Sequence, residues 1–266
     1  MSQANGLSLE RRGLPRLLWD IVVRPRSALA YVGAQGQRTW WLPALLALLF
    51  VVLPVVVAAP ITARESREAV ATLQEQLAED MPPEALEQME GAMSIVASPL
   101  ITLLFPAVGG LVGRVASWAA WAGALYLASV ALGGRSSFGQ LFPIVVWAGL
   151  PYAVRGALQT VTIWASGELI LNPGFSGLVG QTGTVADMVT APPSVSQQLL
   201  VAILSRVDLF VIWHLVLLVI GVLVATGLSR RKTMLITLGT WGLFTVLSLI
   251  PILIGAAFTQ MAAIGP

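Results

Sequence analysis

Cysteine is absent from the chain, which excludes a disulfide framework, a thiolate zinc cluster and a thiol nucleophile. Charge is scarce as well. Asp, Glu, Lys and Arg make up 11% of the residues, against about a quarter in a soluble domain. The formal net charge of +2 is too small to mark a nucleic-acid surface, so no nucleic-acid partner is expected. No phosphate-binding Gly-Lys-Ser/Thr loop, dinucleotide fingerprint, Asp-x-Asp calcium loop or His/Glu pair at metal spacing occurs. The chain therefore reads as a non-enzyme without cofactor or metal. The first 38 residues hold six Arg but no apolar core followed by a small-residue cleavage site, so no cleaved signal peptide is expected.

What the chain has in excess is apolar surface. Hydrophobic residues make up 56% of it, with nine Trp, 25 Gly and 16 Pro, a composition of membrane helices, which accept Gly and Pro and place Trp at the lipid interface. Five stretches, near 40–61, 98–132, 139–164, 205–228 and 233–258, are long enough to cross a hydrocarbon core of about 30 Å. The second is over-long. It is one protruding or kinked helix, with Pro106 the natural kink, or a hairpin broken at Arg114 among Gly109, Gly110 and Gly113.

Loop charge decides between these, because short cytoplasmic loops collect Lys and Arg. With five spans the inner side holds ten basic residues (Arg11, Arg12, Arg16, Arg24, Arg26, Arg38, Arg135, Arg230, Arg231 and Lys232) and the outer loops two, Arg64 and Arg67. A hairpin at Arg114 gives seven against six, and the bias disappears. The expected fold class is thus an all-α integral membrane protein. It is a five-transmembrane-helix bundle with short amphipathic N-terminal helices and two outer loops containing short helices. Residues 1–38 form a basic cytoplasmic segment and 39–260 the membrane domain. The protein is then multi-pass in a plasma (inner) membrane, with its N-terminus cytoplasmic and its C-terminus outside.

The N-terminal segment reads as two helices, Leu14 to Val23 and Pro25 to about Val32, because Pro25 suits a first helical turn and biases Arg24 away from helix. Leu17, Leu18, Ile21 and Val22 beside Arg16, Arg24 and Arg26 make a basic amphipathic element. It lies on anionic inner-leaflet lipids or, alternatively, caps the bundle. Between Thr62 and Ala97, two external helices are expected. One carries Val70, Leu73 and Leu77 on a face; the other, beyond Pro82 and Pro83, carries Leu86, Met89 and Met93. The loop from Ser166 to Leu204 is rich in Gly, Thr and Pro, and turns helical from Val195.

Ionisable groups within the apolar stretches are Arg114, Arg155, Asp208 and His214, a candidate intramembrane polar network, since buried charge in lipid is costly. An Arg155–Asp208 pair fits the helical rise. It either fixes helix register or serves a proton or substrate relay in a transporter or permease that uses Arg155, Asp208 and His214. Gly174-Phe175-Ser176-Gly177, with His214 in a later stretch, matches the short Gly-x-Ser-Gly pattern of rhomboid proteases and carries a remote intramembrane-hydrolase reading. Small residues recur at four-residue spacing: Gly109 and Gly113, then Ala116, Ala120, Ala124 and Ala128, and Gly221 with Ala225. They let helices approach closely within one bundle or between copies in a homo-oligomer.

Three segments in order carry a resemblance. They are Arg24-Pro25-Arg26-Ser27-Ala28; Gly133-Gly134-Arg135-Ser136-Ser137-Phe138-Gly139-Gln140 with Gly149-Leu150-Pro151-Tyr152 after it; and Asp208-Leu209-Phe210-Val211-Ile212-Trp213 leading to Arg230-Arg231-Lys232. Together they resemble the Yip (Ypt/Rab-interacting protein) domain family in its bacterial form, over roughly Trp19 to Phe258. The motif positions are Pro25, Gly133, Gly134, Phe138, Pro151, Asp208, Phe210 and Trp213. The resemblance implies a five-span bundle with a cytoplasmic N-terminus and a non-catalytic role organising membrane or partner proteins. Eukaryotic members are tied to small Rab-type GTPases and vesicle traffic. The protein partner here is not named by any residue pattern.

The Cys-free background allows a direct topology test. Single substitutions Thr72→Cys, Ser137→Cys, Thr184→Cys and Ser229→Cys in intact cells are expected to label from outside at 72 and 184 only. Outside labelling at 137 and 229 with protection at 184 would instead establish the hairpin.

Overall fold

A peptide group in hydrocarbon finds no water to bond, so segments this apolar satisfy their backbone internally as helix. The computed structural model describes residues 13–35, 39–78, 82, 91, 95, 98–179 and 193–264. Every regular element among them is helical. Helix α1 spans Leu14–Val23 and α2 Pro25–Gln35. Arg24 between them lies at φ −136°, ψ 56°, outside the helical region that a following proline disfavours. Pro25 then opens α2, where its missing N–H costs nothing.

Five helices are long and apolar enough to cross a membrane among the described residues. The first, α3, runs Trp41–Ala78, so the chain does not leave the helix near residue 61 as the sequence suggested. The external helix expected around Val70, Leu73 and Leu77 is the continuation of the span. The reason is local: Ile61 to Ala78 contains no Gly or Pro and is dominated by Ala, Glu, Gln, Leu and Arg, strong helix formers. Arg64 and Glu68 pair at 3.7 Å on its exposed surface, an i,i+4 contact of small weight. The second external helix, over Leu86, Met89 and Met93, falls outside the described residues.

The next span opens with a π-helical turn, Leu100–Leu104, and continues as α4, Phe105–Ala131. It passes Arg114 without reversing. Pro106 has no N–H, and its ring crowds the carbonyl four residues back. The Phe105 N–H bonds Leu100 O instead, so the helix widens by one residue where it would otherwise clash. The third span covers Phe138–Ser166, as expected over 139–164, with a one-residue turn inside it. Helix α5, Phe138–Ala148, and α6, Leu150–Ser166, meet at Gly149, two residues ahead of Pro151. Gln140 Oε1 accepts the Ser137 N–H at 3.1 Å, one arm of the capping box that starts α5.

A 3₁₀ turn at Gly174–Leu178 and α7, Val195–Leu204, precede the fourth span. That span, α8, runs Leu209–Thr226. It begins later than the apolar stretch at 205 because Asp208 caps it, its Oδ1 accepting the Val211 N–H at 2.7 Å. The fifth, α9, covers Arg230–Ile264.

Contacts divide the chain into two compact units. The first is drawn from Met1–Leu46, Ser117–Leu150 and His214–Thr240. Within it α1 packs on α2 and α2 on α5, around fully buried Leu17, Ile21, Leu29, Ile144 and Trp147. Trp147 Nε1 donates to Thr39 O at 3.2 Å. A side chain at Gly221 would strike Ile144, so α8 and α5 meet backbone to side chain there. The turn after α4 uses Gly133 at φ +85°, in the left-handed region glycine favours. Lys232 Nζ closes that turn on Leu132 O at 2.9 Å.

The second unit is drawn from Ala47–Ala116, Pro151–Trp213 and Trp241–Pro266. Here Gly156 abuts the Phe50 carbonyl, and a Cβ at Gly110 would lie 2.8 Å from Val51. These close approaches bring α6 and α4 against α3. The Gly109 and Gly113 positions open onto free space, and Ala116 and Ala120 are exposed, so that part of the small-residue stripe does not serve packing within the chain. Gly156→Val and Gly221→Val are each expected to lower thermal stability in detergent by roughly 1–3 kcal/mol through overpacking, with Gly109→Val near wild type. Equal losses at all three would contradict the packing described.

Candidate functional site

Helix α6 places Tyr152, Arg155, Gln159 and Thr162 at spacings of three, four and three, which share one helical face. Arg155 Nη1 lies 2.9 Å from Asp208 Oδ2, with 20% of the Arg and 9% of the Asp side chain exposed. Asp208 thereby has both oxygens engaged, one in the α8 cap and one in the ion pair. Its seat is fixed from behind by Gly174 at φ +70°, where a Cβ would approach Asp208 Cβ to 3.1 Å. The Phe175 N–H bonds Val207 O at 3.4 Å beside it. Arg114 on α4 stands over the Tyr152 ring, 5.0 Å from its centroid, a cation–π contact strengthened where water is excluded.

His214 belongs to the other unit. Its Nδ1 lies 2.7 Å from the Ala148 carbonyl oxygen. A carbonyl only accepts, so the proton is assigned to Nδ1. The bond falls beside the turn at Gly149 that joins α5 and α6. Trp121 meets the imidazole edge-on, centroids 5.7 Å apart. The candidate set of Arg114, Arg155, Asp208 and His214 is thus arranged as an ion pair and a cation–π pair in one unit and a backbone-bonded imidazole in the other.

Ser176, of the Gly-x-Ser-Gly match, is fully buried, and its Oγ donates to Pro173 O at 2.6 Å. It and His214 lie in different units and each has a backbone carbonyl as partner. Among the described residues no group of three or more His, Asp or Glu could hold a metal ion.

Other motif positions serve local structure. Phe138 and Phe142 stack tilted at 5.8 Å, and Trp40 meets Phe142 edge-on at 5.6 Å. Phe210 and Trp213 are half-buried on α8. The N-terminal helices depart from expectation in their orientation. Leu17 and Ile21 are 0% and 1% exposed, so they cannot form the lipid face. On the opposite side of α1, Trp19, Val22 and Val23 are 68%, 54% and 52% exposed, with Arg16, Arg24 and Arg26 also exposed.

Sequence reasoning named Tyr152 only within a family segment and did not name Gln159 or Thr162. Their signal was there: a polar row at helical spacing from Arg155, inside an apolar span.

Asp208→Ala is expected to destabilise the protein by about 3 kcal/mol or more, since removing one partner strands a partly buried charge. Asp208→Asn keeps the helix cap and should recover about 1 kcal/mol of that loss. Thermal unfolding of the purified variants in detergent measures both, and equal melting of the two would remove the capping role.

The family model of the Yip1 domain matches residues 19–258. No curated protein and no solved structure matches the chain.

Proposed function

The chain belongs to the Yip1 domain family, and we propose that it is a non-enzymatic membrane protein that organises membrane or partner proteins, anchored to an anionic leaflet by its N-terminal helix pair. The observation that carries the anchoring is the two-sided character of α1. Leu17 and Ile21 hold one side in the protein core, while Trp19, Val22 and Val23 stand exposed on the other. Exposed Arg16, Arg24 and Arg26 accompany them. An apolar strip of this kind beside guanidinium groups fits the boundary between acyl chains and headgroups. Each Arg near an anionic surface contributes about 1 kcal/mol. The distribution of Lys and Arg supports a plasma-membrane arrangement with this segment cytoplasmic and the C-terminus outside.

A transporter component is the second reading. It draws on Arg155, Asp208 and His214, but the pair and the histidine have separate partners, and this favours a structural role for each.

The test uses full-length protein with Trp19→Cys carrying an environment-sensitive fluorophore, in nanodiscs with and without phosphatidylglycerol. Blue-shifted emission and shielding from an aqueous quencher are expected with the anionic lipid. Both should be lost when Arg16, Arg24 and Arg26 are replaced by Gln. Equal emission and quenching in zwitterionic discs would sink the anchoring.

A further inference from the structure

A cavity of about 420 Å³ opens beside the Arg155–Asp208 pair. Its polar wall is the α6 row of Arg155, Gln159 and Thr162. Its rim includes Leu158, Leu209 and Phe175, all large and exposed, at 54%, 72% and 48%. A polar pocket with an apolar lip inside a membrane span has the shape of a site for an amphiphile.

Three further observations define the headgroup. Both Asp208 oxygens are engaged, one in the helix cap and one in the ion pair, whereas a guanidinium carries five N–H donors. Among the described residues Asp208 is the only ion-pair partner of Arg155, and the Gln159 amide and Thr162 hydroxyl make no side-chain hydrogen bond. The wall therefore has more donors to offer than acceptors. Charge points the same way, because Arg114 stands over the ring of Tyr152, one turn before Arg155 on α6, so two guanidinium groups accompany the one carboxylate. Depth is set by α8. Its 18 residues extend about 27 Å, only just the hydrocarbon thickness. Asp208, immediately ahead of Leu209, accordingly marks the headgroup boundary.

We propose that this cavity binds the phosphate of a phospholipid. Arg155, held in place by Asp208, donates to phosphate oxygens in the geometry that guanidinium and phosphate share. Gln159 and Thr162 donate from the next turns of the same face. The acyl chains leave over Leu158 and Leu209 into the bilayer. Since the same donors would take free phosphate, the apolar rim is what selects the lipid.

The experiment is native mass spectrometry of the full-length protein in detergent, titrated with dioleoyl phosphatidylglycerol, dioleoylglycerol or inorganic phosphate. One retained phosphatidylglycerol per chain is expected, with no retention of dioleoylglycerol. The Gln159→Leu/Thr162→Val double variant leaves the ion pair intact and is expected to bind roughly tenfold more weakly, as loss of one to two net hydrogen bonds predicts. Leu158→Trp, which fills the rim without touching the polar wall, should also reduce retention. Equal retention of dioleoylglycerol, or wild-type retention by both variants, would overturn the proposal. So would binding of inorganic phosphate that displaces nothing and leaves phosphatidylglycerol unbound, since the ligand would then be the soluble anion.

Discussion

A polar backbone group inside an apolar span must find its partner within the protein, and this constraint shapes how the helices begin and where they are interrupted. The clearest instance is the third span. Gly149 and Pro151 end α5 and restart the chain as α6, and His214 Nδ1 comes to the Ala148 carbonyl at 2.7 Å. In hydrocarbon an unmet group of this kind costs several kcal/mol. The single histidine of the chain thus has a backbone carbonyl among its partners. The π-helical turn ahead of Pro106 meets the same constraint differently, by moving the bond to Leu100 O within the helix itself. Asp208 meets it a third way, by capping α8 with a carboxylate oxygen.

The charged groups follow the same logic at higher stakes. Arg155 and Asp208 neutralise one another, and the carboxylate that does so is already positioned by the helix it caps. Arg114 has a π face in place of a carboxylate. The consequence is that two guanidinium groups, Arg114 and Arg155, stand with one carboxylate in the second unit.

Much of the apolar surface of the described spans is left uncovered by the protein itself. The fifth span has none of its most apolar window buried in the protein, and large side chains such as Leu235 and Val246 stand 67% and 62% exposed along it. Helix α1 combines the two demands. One side belongs to the core through Leu17 and Ile21; the other keeps Trp19 uncovered. An amphipathic helix usually has one apolar face, and α1 departs from that by carrying apolar residues on both sides.

Local signals were legible in the sequence where a residue acts through its own backbone. Pro25 set the boundary between α1 and α2, Ser194 and Gln197 the start of α7, and apolar length the five spans, because each depends on a few neighbouring residues or on the thickness of the hydrocarbon. The absence of a breaker between Ile61 and Ala78 was legible in the same way, and it outweighed the change to polar composition that suggested a loop. Facing was not legible. A span that is apolar all round carries no mark of its inward side, so Gly109 and Gly113 looked as suitable for close packing as Gly221, and of these only Gly221 has a neighbour in the way. The partners of Arg114 and His214, and the side of α1 that is left bare, were decided by tertiary structure alone. They depend on which helices meet at which rotation, and sequence separations of dozens of residues hold no record of that.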